Sequence, residues 1–251
     1  MRKGSLLINQ QGADRKLHAL TSLFTLLVVL LTATIPAAAQ IEAGIQLSYG
    51  RTTYDQILGV KDAVRASQFM NNVWARYDWE DLRFTGVYQG TFGLGTSDIG
   101  RHLGQVAANY RFLEEGPMQV YAGLGYHFIT NRFKAGLGNQ PTSFNLTGHG
   151  FAGQVLVDIE LNSKLHTTAA VTAAPWVSWS FSDGKTTSKT GSRASFNAKL
   201  DVTYSFSDTL SVQVGLVGGS YSVPEFKHEG KTLGVTHGTF AGISAGVTQR
   251  F

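Results

Sequence analysis

The sequence of 251 residues has no cysteine. Disulfides, thiolate metal sites and thiol nucleophiles are excluded, and an oxidising compartment is permitted. Proline is scarce, with five residues. Past residue 39 there is no long apolar run, so no helix is expected to cross a membrane. That absence leaves strands open, because a barrel strand crosses a bilayer in ~9–11 residues and only half of them face lipid. A sustained 3.6-residue period is also missing, and almost no helix is expected beyond residue 39.

An excess of charge is missing too, once the leader is set aside. Residues 1–39 read as a removable export signal. Arg2, Lys3, Arg15 and Lys16 precede an apolar stretch from Leu20 to Ile35, Pro36 ends it, and Ala37-Ala38-Ala39 suits cleavage before Gln40. An uncleaved anchor is disfavoured because that stretch falls short of the ~20 residues a spanning helix needs. The leader holds four of the 21 basic residues and one of the 17 acidic ones, leaving 17 against 16. The apparent basicity is an export feature, and nucleic acid is not an expected partner.

What the rest of the chain has is alternation. Ile41, Ala43, Ile45, Leu47 and Tyr49 alternate with Glu42, Gly44, Gln46 and Ser48. Met118 to Phe128 and Ala194 to Phe206 are the cleanest further examples of ten such segments, and the last ends on Phe251. A period of two means strands with one apolar and one polar face. Short turns at Glu80-Asp81, Glu114–Pro117, Asn162–Lys164 and Ser207-Asp208 alternate with longer links at 50–67, 93–100, 130–149, 182–193 and 222–237. Sorted link lengths predict an all-β, up-and-down antiparallel transmembrane barrel over residues 40–251. Ten strands are expected, with eight or twelve as alternatives. Aromatic residues cluster at both ends of the apolar face. Tyr77, Trp79, Phe84, Tyr110, Phe112, Tyr204, Phe206 and Phe251 sit beside the short turns; Tyr49, Tyr88, Phe92, Tyr126, Phe128, Trp179 and Tyr221 sit near the long links. Two belts are expected, one at each interface.

With the leader and the terminal Phe251, these segments resemble a bacterial outer-membrane β-barrel protein. The resemblance implies outer-membrane lipids and lipopolysaccharide as surroundings. It also implies the barrel-assembly machinery as a partner during insertion. In that family the last strand is the sorting signal; Ile243, Ala245, Val247 and Phe251 match it, and Gln249 departs from it.

By parity the inward ionisable residues are Glu42, Asp78, Asp158, Glu160 and Asp201 against Arg76, Arg83, Arg111, Lys199 and Arg250. A single-sign ring would suit an ion-selective pore. Five of each sign predict mutual neutralisation in a hydrogen-bonded lumen network.

Signals for chemistry are weak. "DGKTTS" at Asp183–Ser188 mimics the end of a phosphate-binding loop, but Trp179 stands where the first glycine belongs. His102 and His149 fall near long-link ends on the apolar face. His149 near Ser143 and Thr147 is the candidate base of a lipid hydrolase, with no orienting acid in evidence. His127 points inward, into the lumen network. Omptin proteases share the ten-strand number, but no pair of acids with an Asp-His unit is found at the corresponding strand ends. Glu225, His228, Glu229 and His237 share the last link and are the candidate metal ligands, with a solvated loop the preferred reading. Lys185, Lys189 and Arg193 are candidate contacts for lipopolysaccharide phosphates. No cofactor is expected. The leading expectation is a small non-enzymatic barrel with a structural or surface-loop role. A narrow solute channel is the first alternative and a lipid-modifying hydrolase the second.

Overall fold

The computed structural model describes residues 40–91 and 98–251. The export-signal reading of residues 1–39, the belt position of Phe92 and most of the 93–100 link lie outside the described residues.

Among the described residues twelve strands form. They are β1 (Gln40–Gln56), β2 (Val64–Trp79), β3 (Leu82–Thr91), β4 (Ile99–Glu115), β5 (Met118–Phe133), β6 (Phe144–Asn162), β7 (Leu165–Ser182), β8 (Thr187–Ser205), β9 (Leu210–Val223), β10 (Phe226–His228), β11 (Lys231–Leu233) and β12 (Thr236–Arg250). Strands β1 to β9 and β12 close into one barrel, in the ten-strand, up-and-down order expected. Strands β10 and β11 form a separate small hairpin, here called the flap, within the last link. Closure joins β12 to β1 antiparallel, with Ile45 opposite Val247, Leu47 opposite Ala245 and Tyr49 opposite Ile243. The Phe251 N–H donates to the Ile41 carbonyl at 2.9 Å. Pairing first strand with last satisfies edge groups that would otherwise be stranded in an apolar medium, at several kcal/mol each.

Toward the short turns, the outer surface is apolar. Leu124 is 76 % exposed and Phe151 80 %, and Ile45, Val106, Val155, Leu200, Val214, Leu216 and Ile243 are exposed beside them. Continuous apolar surface of this kind has no place in water. The inward residues at this level are mostly polar: Glu42, Gln46, Ser48, Asn72, Arg83, Gln105, Asn109, Gln154, Asp201 and Gln213 are buried, with Ala107, Tyr121 and Leu156 among them.

Toward the long links the pattern inverts. On β1, Arg51 and Asp55 face out while Tyr54 is buried; on β5, Arg132 faces out while Ile129 and Phe133 are buried. On β6, Phe144 and Leu146 are buried, and on β12 Thr239 faces out between buried Gly238 and Phe240. Much of the length expected to be loop at 50–67, 130–149, 182–193 and 222–237 is therefore strand. Beyond the apolar band the strands continue as a water-soluble type of barrel, polar outside and apolar within.

Two belt assignments are corrected. Trp179 is 2 % exposed and Tyr221 6 %, and both lie inside. Tyr221 shares parity with buried Gln213 on β9, so it points inward. On β7 the phase changes. The register against β8 shifts between Ala174 and Val177, and Pro175 and Trp176 are exposed in succession. Proline has no N–H for the ladder, which favours a bulge there. The bulge turns Val177, Trp179 and Phe181 inward, so the outward position expected for Trp179 does not hold. Of the remaining described belt residues, Tyr77 is half-buried beside Phe84, and the others are exposed: Tyr49, Tyr88, Tyr126 and Phe128 at one level, and Trp79, Phe84, Tyr110, Phe112, Tyr204, Phe206 and Phe251 at the other.

Candidate functional site

The interior has three storeys. The lowest is an ion network. Arg83 lies between two carboxylates, donating to Asp78 at 2.7 and 3.1 Å and to Asp158. Its guanidinium stacks on the Tyr121 ring, 4.0 Å from the centroid. Arg76 pairs with Glu42 at 2.6 Å and lies 3.6 Å from Asp78 and 3.8 Å from Asp158. Arg250 reaches Glu42 at 4.0 Å. Across the lumen Lys199 pairs with Asp201 at 2.6 Å, and Asp201 also accepts from Gln46 at 3.1 Å. Glu42, Arg76, Arg83, Lys199 and Asp201 line a cavity of about 100 Å³ together with Trp74, His166 and Thr203. That is room for several waters. Two of the candidate network residues stand apart. Arg111 pairs with Asp81 at 2.7 Å and Glu114 at 3.2 Å beside the short turns. Glu160 is exposed near the end of β6, opposite His166.

The middle storey mixes polar and aromatic groups. Buried His127 meets Ser195 Oγ through Nε2 at 3.2 Å, and Tyr54 donates to Asn131 at 3.1 Å. Buried Arg101 lies over the Phe240 ring at 5.0 Å. Among the described residues it has no carboxylate within ion-pair distance.

The top storey is an apolar stopper. Phe133 stacks on Phe144 (4.7 Å), Phe144 on Phe181 (5.4 Å), and Phe181 meets Phe226 of the flap (5.4 Å). Trp179 stacks on Tyr221 at 4.9 Å, and Tyr54 packs edge-on to Phe133 at 5.0 Å. Glycines make room for the large rings. A Cβ on Gly238 would lie 2.6 Å from the Tyr221 ring, and one on Gly148 2.8 Å from Trp179. Ile57 and Leu58, from the β1–β2 link, join the same cluster with Leu233 of the flap. The two links are tied across the mouth: Gly59 N–H donates to the Val235 carbonyl at 2.9 Å, and Gly234 N–H to the Leu58 carbonyl at 3.0 Å.

At the rim, β7 and β8 join through a tight turn. The Asp183 carboxylate accepts the Lys185 and Thr186 N–H groups, each at 2.9 Å. Those two backbone donors, with His228 beside them, hold this carboxyl down at about 2. His228 of the flap is buried under the rim, edge-on to Phe181 at 4.6 Å. Its Nε2 lies 3.5 Å from Asp183 and 3.3 Å from Thr186 Oγ1, and its Nδ1 meets Ser188 Oγ at 2.8 Å. Glu229 completes the group: among the described residues, Asp183, His228 and Glu229 bring one ligand atom each to within 4.8 Å of one another. Glu225 and His237, the other candidate ligands of this link, are not in it; His237 Nδ1 meets Ser222 at 2.9 Å instead. Sequence reasoning missed Asp183, which is remote from His228 along the chain. Its one signal was the Asp-Gly pair, a hairpin-turn dipeptide that announces a turn and says nothing of what the turn meets.

The interfacial histidines have ordinary partners. His102 Nδ1 meets Tyr88 Oη at 2.8 Å and His149 Nδ1 meets Tyr126 Oη at 2.6 Å, each ring stacked on its partner. Thr147 pairs with Thr130 at 3.1 Å. Among the described residues no carboxylate forms an ion pair with His149.

No protein-family model and no curated protein sequence matches the chain. Solved structures do. The outer membrane protease OmpT from Escherichia coli superimposes with a TM-score of 0.58 at 12 % identity, over 87 % of this chain and 99 % of that one. Neisserial surface protein A (NspA) gives 0.37 at 16 % identity, over 86 % and 98 %. Ail of Yersinia pestis gives 0.32 at 13 %, over 84 % and 98 %. The protein thus has the architecture of a bacterial outer-membrane β-barrel, a closed antiparallel barrel of ten strands among the described residues.

Proposed function

We propose that this protein is a non-conducting, non-enzymatic barrel of a bacterial outer membrane, and that it serves as a scaffold displaying its long-link rim for contacts at the cell surface. On this reading residues 1–39 direct export, the β12 face of Ile243, Ala245, Val247 and Phe251 is recognised during assembly, and the apolar band sits among outer-membrane lipids with lipopolysaccharide around the rim. The observation that carries the proposal is the stopper. Tyr54, Phe133, Phe144, Trp179, Phe181 and Tyr221 fill the outer lumen with close-packed rings. Below it, the acids and bases neutralise one another and do not form a ring of one sign. A conduit needs a continuous wet path, and a dry apolar constriction opposes ions.

Purified barrel in a planar lipid bilayer should give a flat baseline, and the double variant Phe133→Ser/Trp179→Ser should admit unsteady current. Steady, ion-selective steps from the unaltered protein would overturn the proposal.

A further inference from the structure

We propose that Asp183, His228 and Glu229 bind a single zinc-type divalent cation that latches the flap onto the barrel rim. Two carboxylates and one imidazole, with a fourth position left to water, are a familiar ligand count and chemistry for zinc. In the tautomer that donates Nδ1–H to Ser188 Oγ, 2.8 Å away, Nε2 presents its lone pair on the side of Asp183, 3.5 Å off. A second hydrogen bond of this kind fixes tautomer and ring direction in metal-binding histidines. Phe181 against the ring edge further limits its rotation.

The two carboxylates come from opposite sides of a gap. Asp183 is anchored in the β7–β8 turn by two backbone N–H groups. Glu229 is at the tip of the flap, where it and Gly230 adopt φ of 47° and 78°. Around one zinc, ligand atoms lie roughly 3.4 Å apart. His228 Nε2 and the Asp183 carboxylate already lie 3.5 Å apart, and Glu229, whose side chain is exposed, is the ligand left to close the group from its present 4.8 Å limit. One ion would then bridge the turn, which belongs to the barrel, and the flap, which carries Phe226 and Leu233 into the stopper. The nitrogen ligand favours zinc over the oxygen-preferring calcium. Binding here does not depend on whether the barrel conducts.

The test is calorimetric titration of Zn²⁺ into the chelator-treated full barrel in detergent, with Ca²⁺ in a parallel arm. Zinc should bind at one equivalent, and calcium should not compete. His228→Ala should abolish binding. Glu229→Gln, at an exposed turn where folding is not at stake, should weaken it severely. Ser188→Ala should weaken it about tenfold, while Glu225→Gln and His237→Ala leave it unchanged. Amide exchange across 224–235 should slow with zinc and recover with chelator. No saturable one-to-one binding, a preference for calcium, or a Glu229→Gln variant that binds like the parent would overturn the site. Zinc binding without protection of 224–235 would overturn the latch.

Discussion

Arg83 and Arg101 are both buried guanidinium groups in one lumen, held in opposite ways. Arg83 has Asp78 and Asp158 on either side and an aromatic face beneath it. Arg101 has the Phe240 ring, with the Tyr54 and Tyr221 hydroxyls close enough to feel its charge. Removing one partner of a buried ion pair is costly because it strands the other charge. Arg83→Met should therefore destabilise the barrel by about 3 kcal/mol, read as an earlier urea midpoint for the barrel folded in lipid vesicles. An unchanged midpoint would show that Arg76 alone neutralises both acids. Parity along β2, β3 and β6 made Arg76, Arg83 and Asp158 legible in advance. Arg101 has the inward parity of Gln105 on β4, yet it lies one residue past the 93–100 link and is absent from the inward set read by parity.

At the scale of the element, the decisive features are those that interrupt alternation. A bulge of one residue exchanges the two faces of everything that follows it. On β7 the shift at Pro175–Trp176 moves Val177, Trp179 and Phe181 inside; on β8 a second shift near Gly191, at φ 101°, sets Ser188 toward His228. Both shifts occur where the barrel passes from a lipid-type exterior to a water-type exterior. The large rings at this level need matching gaps on neighbouring strands. Gly238 of β12 is such a gap, facing Tyr221. Gly238→Val should overpack the stopper and cost about 1–3 kcal/mol, measured as a lower thermal unfolding temperature in detergent. If the variant melts with the parent, the Tyr221 ring is not confined as described.

At the scale of the whole molecule, the described residues form a barrel of two zones with opposite polarity. Arginine at mid-band on the lipid face of a barrel costs roughly 2–4 kcal/mol, falling toward zero at the interface. Leu124→Arg lies in the apolar band and should carry that penalty in equilibrium unfolding from vesicles. Thr239→Arg lies outward in the polar zone, beside Thr53 and Ser220. It should stay within about 0.5 kcal/mol of the parent, as ordinary surface changes do. Equal penalties at the two sites would mean that the apolar band extends to the rim and that the zoning is wrong.

The presence of ten barrel strands and the inward side of Arg76, Arg83 and Asp158 follow from local pattern, because a period of two assigns each residue to a face before any long-range contact is made. The stopper and the rim cluster were decided by tertiary structure alone. Whether Trp179 faces lipid or lumen depends on a bulge that alternation does not announce. Whether Asp183 meets His228 depends on how the flap folds back over the mouth, and no spacing along the chain encodes that distance.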